Sequence, residues 1–384
     1  MNIYNETKFI NNYVLKLAHH FHKFPELANQ EYHTHLKIID ELKKMKINYE
    51  IIDDFNILAY INKNSNGPCI ALRTEIDALP IQENNNLAFK SVNKGISHTC
   101  GHDYHMAIML GIINILKDKN IKGKIIFIFE QGTETNTGSQ KILNSGKLDR
   151  VDYIFALHNL PTLNINEIGL KDGLFLLGCD TININFHGKA QHSALPTKSI
   201  ELIGSAANLI TTFQGIVNKS VDSTKITYLN FTKVIAGNTT NVTASKAELF
   251  LDFRYENNQI QKRVYEILKR VLASHKHDYE VEINYHISST TPALINDSKA
   301  YQIAYKAIDE NKDILKYIEL DKLIFSSSFA VYLKKIKGCF AYYGSKIEDN
   351  NYNIHHENYL YNEKAISSAL IYYLQILNDL LIIK

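Results

Sequence analysis

Apolar positions recur at helical spacing near the start of the chain. Phe9, Ile10, Val14, Leu17 and Phe21 form one stripe over residues 7–23, which stops near Pro25. Residues 31–45 repeat the pattern as a second amphipathic helix. Strands are then predicted over 49–53, 57–61 and 69–76, the last apolar on both faces as in a covered sheet. An apolar helix over 105–118 leads to a buried strand at Lys124–Glu130, a helix over 139–148 and a strand over 153–158. Strands alternating with helices in this way predict an α/β fold, a mostly parallel sheet with helices on both faces.

From about Asp180 the pattern changes. Alternating strands are predicted over 181–188, 224–234, Lys246–Tyr255 and 280–288, with helices over 200–217 and 259–275. Strand, helix, strand, strand, helix, strand is the order of a small α+β, ferredoxin-like layer with an antiparallel sheet. The α/β texture returns with a helix over 298–310. Residues 180–290 are therefore expected to form a domain inserted into one built from 1–179 and 291–384. The most apolar stretch, 365–383, contains Ser367, Ser368, Gln375, Asn378 and Asp379, so it reads as a packed helix and not a membrane span.

Composition mainly excludes. A chain of 384 residues is too long for one ordinary core, in keeping with two domains. Apolar residues at 45% and charged ones at 21% are normal for a soluble globular protein. A net charge of +2 gives no electrostatic case for nucleic acid or an anionic membrane. Residues 1–8 lack the apolar core of a signal peptide, and Cys69, Cys100, Cys179 and Cys339 have no framework spacing. Reduced thiols in the cytoplasm are the expectation.

Candidate chemistry centres on His98-Thr-Cys100-Gly-His102-Asp-Tyr-His105. Three histidines and a cysteine in so short a span, with Gly101 allowing close backbone approach, are poorly explained by packing. Thiolate and imidazole are ligands for zinc-like ions, and a helix starting here favours the thiolate. Asp103 is a candidate to orient a ligating imidazole. Glu75 and Asp77 close one predicted strand, Glu130 and Glu134 follow another, and His158 ends a third. The carboxyl ends of strands in such sheets are where ligands bind. His355, late in the chain, offers a further imidazole. Together these groups supply enough ligands for two ions.

In order along the chain these blocks resemble the metal-dependent aminoacylase, hippurate hydrolase and N-acetyl-diaminopimelate deacetylase family, amidohydrolase relatives of the co-catalytic zinc carboxypeptidases. His22-x-x-Pro25-Glu26-Leu27 is similar to that family's H-x-x-P-E-L, and Arg73 to Pro80 to R-A-D-M-D-A-L-P. His98 to His105 fits H-x-C-G-H-D-x-H, and His158-x-x-Pro161 fits H-x-x-P. The stretch from Gly188 through His192 to Pro196 is similar to G-x-G-G-H-x-A-x-P, and Gly237 to Val242 fits G-x-x-x-N-V. The resemblance implies a two-metal site with Cys100, His102, Glu134, His158 and His355 as ligands, holding zinc, manganese, cobalt or nickel. It implies His192 as the group that stabilises the oxyanion, and Asn241 and Arg254 as the clamp on the substrate's carboxylate. It also implies hydrolysis of an N-acyl amino acid or related small amide, and a homodimer formed through the inserted lid domain.

Departures from the family pattern bear on the rate. Where the family reads F-Q-P-A-E-E, with a general-base glutamate ahead of the ligand glutamate, this chain reads Phe129-Glu130-Gln-Gly-Thr133-Glu134. The base position is thus Thr133, whose hydroxyl cannot take and return a proton near neutral pH. Glu130 is the nearby acid that could relay a proton. Ser327 and Ser328 stand where the family has Glu-Asp. The expectation is a working or weakened amidohydrolase. The second reading is an impaired relative that binds, condenses or transfers a similar ligand without hydrolysing it.

Overall fold

The computed structural model describes residues 1–62, 67–195 and 199–383. Pro196, the last residue of the Gly188–Pro196 motif, lies outside them. The described chain forms two units, each with its own core. One is built on Met1–Phe175, Ile295–Asp321 and the chain from Ser328 onward; the other on Leu176–Leu294 with the short return Lys322–Ser327.

The first unit carries an eight-stranded sheet in the order Asn48–Ile52, Asn56–Ile61, Lys124–Glu130, Cys69–Glu75, Tyr153–Leu160, Gly338–Gly344, Glu167–Leu170, Lys316–Glu319. Its four central strands are parallel to one another. Their carboxyl ends therefore meet at one edge, and the candidate site is built there. Burial follows the predicted two-faced pattern, since every residue of Cys69–Glu75 is buried. Ile70, Leu72, Phe127, Phe129 and Phe155 pack with the helices Ile3–Lys23, His102–Leu116 and Ala365–Leu380. The helix Ala365–Leu380 is packed in this core, and among the described residues no helix is long and apolar enough to cross a membrane.

Helix starts are set by caps that a periodicity reading passes over. The first helix begins at Ile3 because Asn2 Oδ1 accepts the Asn5 amide at 3.1 Å. Asn257 and Asp297 cap the helices Asn258–Asp278 and Ser298–Asp309 in the same way. Strands at Glu167–Leu170, Gly173–Leu176, Leu294–Asn296, Lys316–Glu319 and Gly338–Gly344 were not foreseen. They are short or continuously buried, so no period distinguishes them.

The second unit has the strand and helix order read from the sequence. Gly178–His187, Leu202–Ser220, Thr227–Ala236, Lys246–Tyr255, Asn258–Asp278 and Glu282–Thr291 follow in turn. The sheet runs Thr227–Ala236, Lys246–Tyr255, Gly178–His187, Glu282–Thr291, antiparallel throughout, which is the ferredoxin-like arrangement.

Candidate metal centre

Gly101 initiates the helix His102–Leu116 with φ 84°, and a Cβ there would run into the Asn159 side chain. Glycine is therefore required, and it lets Cys100 and His102 leave the turn toward the same edge. Cys100 Sγ lies 3.4 Å from His158 Nε2 and 3.2 Å from His355 Nε2. His355 Nε2 is 3.5 Å from Glu134 Oε1, which is 3.9 Å from His102 Nε2. Five side chains drawn from residues 100 to 355 thus converge.

Each donor is held by a local device. Glu134 sits on the 3-10 turn Thr133–Thr135, flanked by Gly132 and Asn136, both with left-handed φ. The Gly132 amide donates to Glu31 Oε1 at 2.7 Å, and the Glu134 amide donates to Asp77 Oδ2 at 2.8 Å. His355 takes a left-handed φ of 64°, and its amide donates to the Thr99 carbonyl at 2.8 Å, which ties a distant loop to the Cys100 turn.

The donor set fits divalent cations. His102 Nδ1 lies 2.8 Å from the Asp77 carbonyl and His158 Nδ1 lies 2.9 Å from the Asn159 carbonyl. A carbonyl only accepts, so each Nδ1 carries a proton and each Nε2 faces the cluster, the orientation metal-bound histidines take. Burial alone would push the Cys100 thiol up, but His102 and His158 beside it outweigh this and bring it down to about 6. Burial likewise opposes the charge on Glu134, yet His355 and His102 hold its carboxyl below the usual range. Thiolate and carboxylate are the protonation states that cation binding needs, and the protons these anions hold on the neighbouring imidazoles are the ones a bound cation would displace. Among the described residues, two groups could hold an ion: Cys100, Glu134 and His355, and Glu75, His102, His105 and His158.

Two other motif residues stand elsewhere. Asp103 does not orient a ligating imidazole; its Oδ2 meets His22 Nδ1 at 2.7 Å, and Asp77 supports His102 instead. His98 is buried with neither ring nitrogen partnered. Sequence reading marked Asp77 only as part of an acid pair, and it missed Glu31 and Asn159, which no motif announces.

His22 Nε2 also meets Glu83 Oε1 at 3.2 Å. Burial lowers the His22 pKa, but the hydrogen bonds to Asp103 and Glu83 overcome it and raise it to about 9. A raised folded-state pKa contributes stability that is fully present below about 6.5 and is lost as pH rises through about 9. The wild-type urea midpoint is therefore expected to fall between those pH values by more than that of His22→Gln. Parallel pH profiles would remove His22 as the cause.

Beneath the ligands lies a buried ion network. In the parallel register Glu75 sits beside Glu130, two acids that would repel. Arg73, fully buried, separates them: its Nε donates to Glu130 Oε2 at 2.8 Å, and its guanidinium also binds Glu75. The same guanidinium donates to Thr133 Oγ1 at 2.5 Å and Ser328 Oγ at 2.6 Å. Glu130 further accepts from Ser328 at 2.8 Å, Tyr332 at 2.8 Å and Thr133 at 3.3 Å.

His192, Asn241 and Arg254 belong to the second unit. His192 pairs across a short bridge with Val242, and the Ser193 amide donates to the Asn241 carbonyl at 3.0 Å. That pairing brings exposed His192 and Asn241 side by side. Arg254 is engaged within its own unit, with Asp252 at 3.1 Å and the Ile324 carbonyl at 2.6 Å.

A strand-end cluster of thiolate, imidazole and carboxylate on a mostly parallel α/β sheet is the donor set of a divalent-metal site. The chain belongs to Peptidase family M20/M25/M40, whose model matches residues 71–379. It is 32% identical to an N-acetyl-L-cysteine deacetylase of Bacillus subtilis (strain 168), over 93% of this chain and 85% of that one. It is 30% identical to an N-acetyldiaminopimelate deacetylase of Ligilactobacillus salivarius (strain UCC118), over 92% and 93%. Among solved structures it is similar to a Bacillus subtilis protein described as a dinuclear metal binding peptidase from the M20 family. That match has a TM-score of 0.80 at 28% identity, covering 97% of this chain and 99% of that one.

Proposed function

We propose that the protein hydrolyses the amide bond of an N-acyl amino acid or small peptide-like substrate, releasing a carboxylate and a free amine. The observation that carries this reading is the convergence of Cys100, His102, Glu134, His158 and His355 at one sheet edge. Relatives named as deacetylases of acetylated amino acids support it. Two divalent ions held there would polarise the amide carbonyl and supply an activated water. Zinc, manganese, cobalt and nickel all suit this mixed donor set.

The chain's own residues do the rest. Cys100, His102, Glu134, His158 and His355 are the ligands, and His105 with Glu75 supports them from below. His192 donates to the developing oxyanion, and Asn241 and Arg254 hold the substrate carboxylate, which takes the guanidinium face that Asp252 occupies in the free protein. Residues 180–290 act as lid and dimerisation domain. The edge strand Thr227–Ala236, with Tyr228, Val234 and Ile235 exposed, suits pairing with a second copy. Thr133 in place of a base slows the reaction. Glu130 serves as counter-ion to Arg73, because its oxygens are already taken by Arg73, Ser328 and Tyr332.

The test is amine release from a panel that includes N-acetylcysteine and N-acetyldiaminopimelate, with elemental analysis of the same sample. Turnover that is lost on chelation and restored by metal is expected. Metal bound in stoichiometric amount with no amine released from any member would favour the non-hydrolytic reading.

A further inference from the structure

Beside the metal centre, the first unit holds a cavity of about 330 Å³ walled by Phe89, Tyr104, Tyr359 and Tyr361. His22, His98 and Glu363 also line it. None of the five convergent donors does.

His98 is 2% exposed, and both its ring nitrogens lack a partner. Asp103 Oδ1, fully buried, is likewise unpartnered. Buried polar atoms are nearly always hydrogen-bonded, so an orphaned imidazole on the cavity wall calls for a guest.

The chemistry of the guest follows from what the walls offer. Glu363 lines the cavity, and Glu83 and Asp103 stand behind the lining residue His22. His22 offsets one charge, with one ring nitrogen on Asp103 and the other on Glu83. Glu363, at the more open end, accepts from Tyr104 at 3.1 Å and meets His19 Nε2 at 2.5 Å. An anion would meet an excess of negative charge. A purely apolar guest would leave His98 unsatisfied. An ammonium group donates N–H to an imidazole nitrogen and to the Glu363 carboxylate, and aromatic walls attract its charge. A volume near 330 Å³ is at the small end of the range for small-molecule pockets.

The geometry points to a second ligand site here, one that takes a small primary amine carried on an apolar or aromatic body. Free amino groups are also what amide hydrolysis releases, but the site is argued from its own atoms and stands whether or not the metal centre turns over substrate.

The probe is 2-phenylethylamine, titrated calorimetrically into the metal-loaded full chain with the metal centre blocked by a hydroxamate. Phenylacetate and 3-phenylpropan-1-ol serve as anionic and neutral controls. Saturable binding of the amine at one site is expected, with no binding of phenylacetate. Ile347→Trp, which fills the cavity without touching a ligand, is expected to weaken the amine about tenfold and to leave amine release from N-acyl substrates within about twofold. Glu363→Gln should narrow the preference for amine over alcohol. If Ile347→Trp lowers the thermal midpoint sharply, Glu363→Gln decides alone. No binding at millimolar amine, or binding unchanged by both substitutions, overturns the proposal.

Discussion

Cys100→Ala is expected to lower amine release by about three powers of ten and to strip metal from the protein. Cys100 Sγ lies within 3.4 Å of both His158 and His355, so it is the donor shared across the cluster. Its loss also removes the anion that holds those imidazoles. His355 is raised to about 10: burial works against this, and Cys100 and Glu134 outweigh it. Cys69→Ala is the control, since Cys69 is a buried free thiol on the strand Cys69–Glu75, away from the ligands. The measurement is turnover together with metal per chain by elemental analysis. Retention of metal and rate by Cys100→Ala, with a folded far-ultraviolet spectrum, would sink the metal-centre reading.

Restoring an acid at position 133 carries the second large effect. Thr133→Glu combined with Glu130→Gln is expected to raise kcat by about two powers of ten, the lower end of what a general base contributes. Thr133→Glu alone should gain clearly less. Thr133 Oγ1 sits 3.3 Å from Glu130 Oε1 and 2.5 Å from the Arg73 guanidinium. A carboxylate placed there joins Glu75 and Glu130 around one cation, and its pairing with Arg73 makes it a weaker base. Neutralising Glu130 removes the crowding and returns the charge balance of one guanidinium to two acids. The readout is kcat against pH, because a new base adds an acidic limb to the profile. If neither variant gains, the missing-base account of this chain falls.

That coupling explains why departures from the family pattern that look separate in the sequence belong together. Glu130, Thr133 and Ser328 are up to 198 residues apart, yet all meet Arg73. In linear order each reads as an isolated substitution. In space they are one buried network around a single guanidinium: the acid is at 130, and hydroxyls stand at 133 and 328. A buried charge left unpaired is strongly destabilising, on the order of 3–5 kcal/mol, so exchanging one member of the network alone is costly.

The sequence by itself determined the secondary structure of long periodic segments, the change of texture near residue 180, and the chemistry of the motifs. Those signals are local, because helix and strand periods and ligand types are written within a few residues. Strands such as Gly338–Gly344, the partner of Asp103, the orphaned His98 and the role of Asp77 were decided only by the tertiary structure. Each depends on which distant backbone passes within hydrogen-bond reach, and that is set by sheet order and loop capping, which no local pattern encodes.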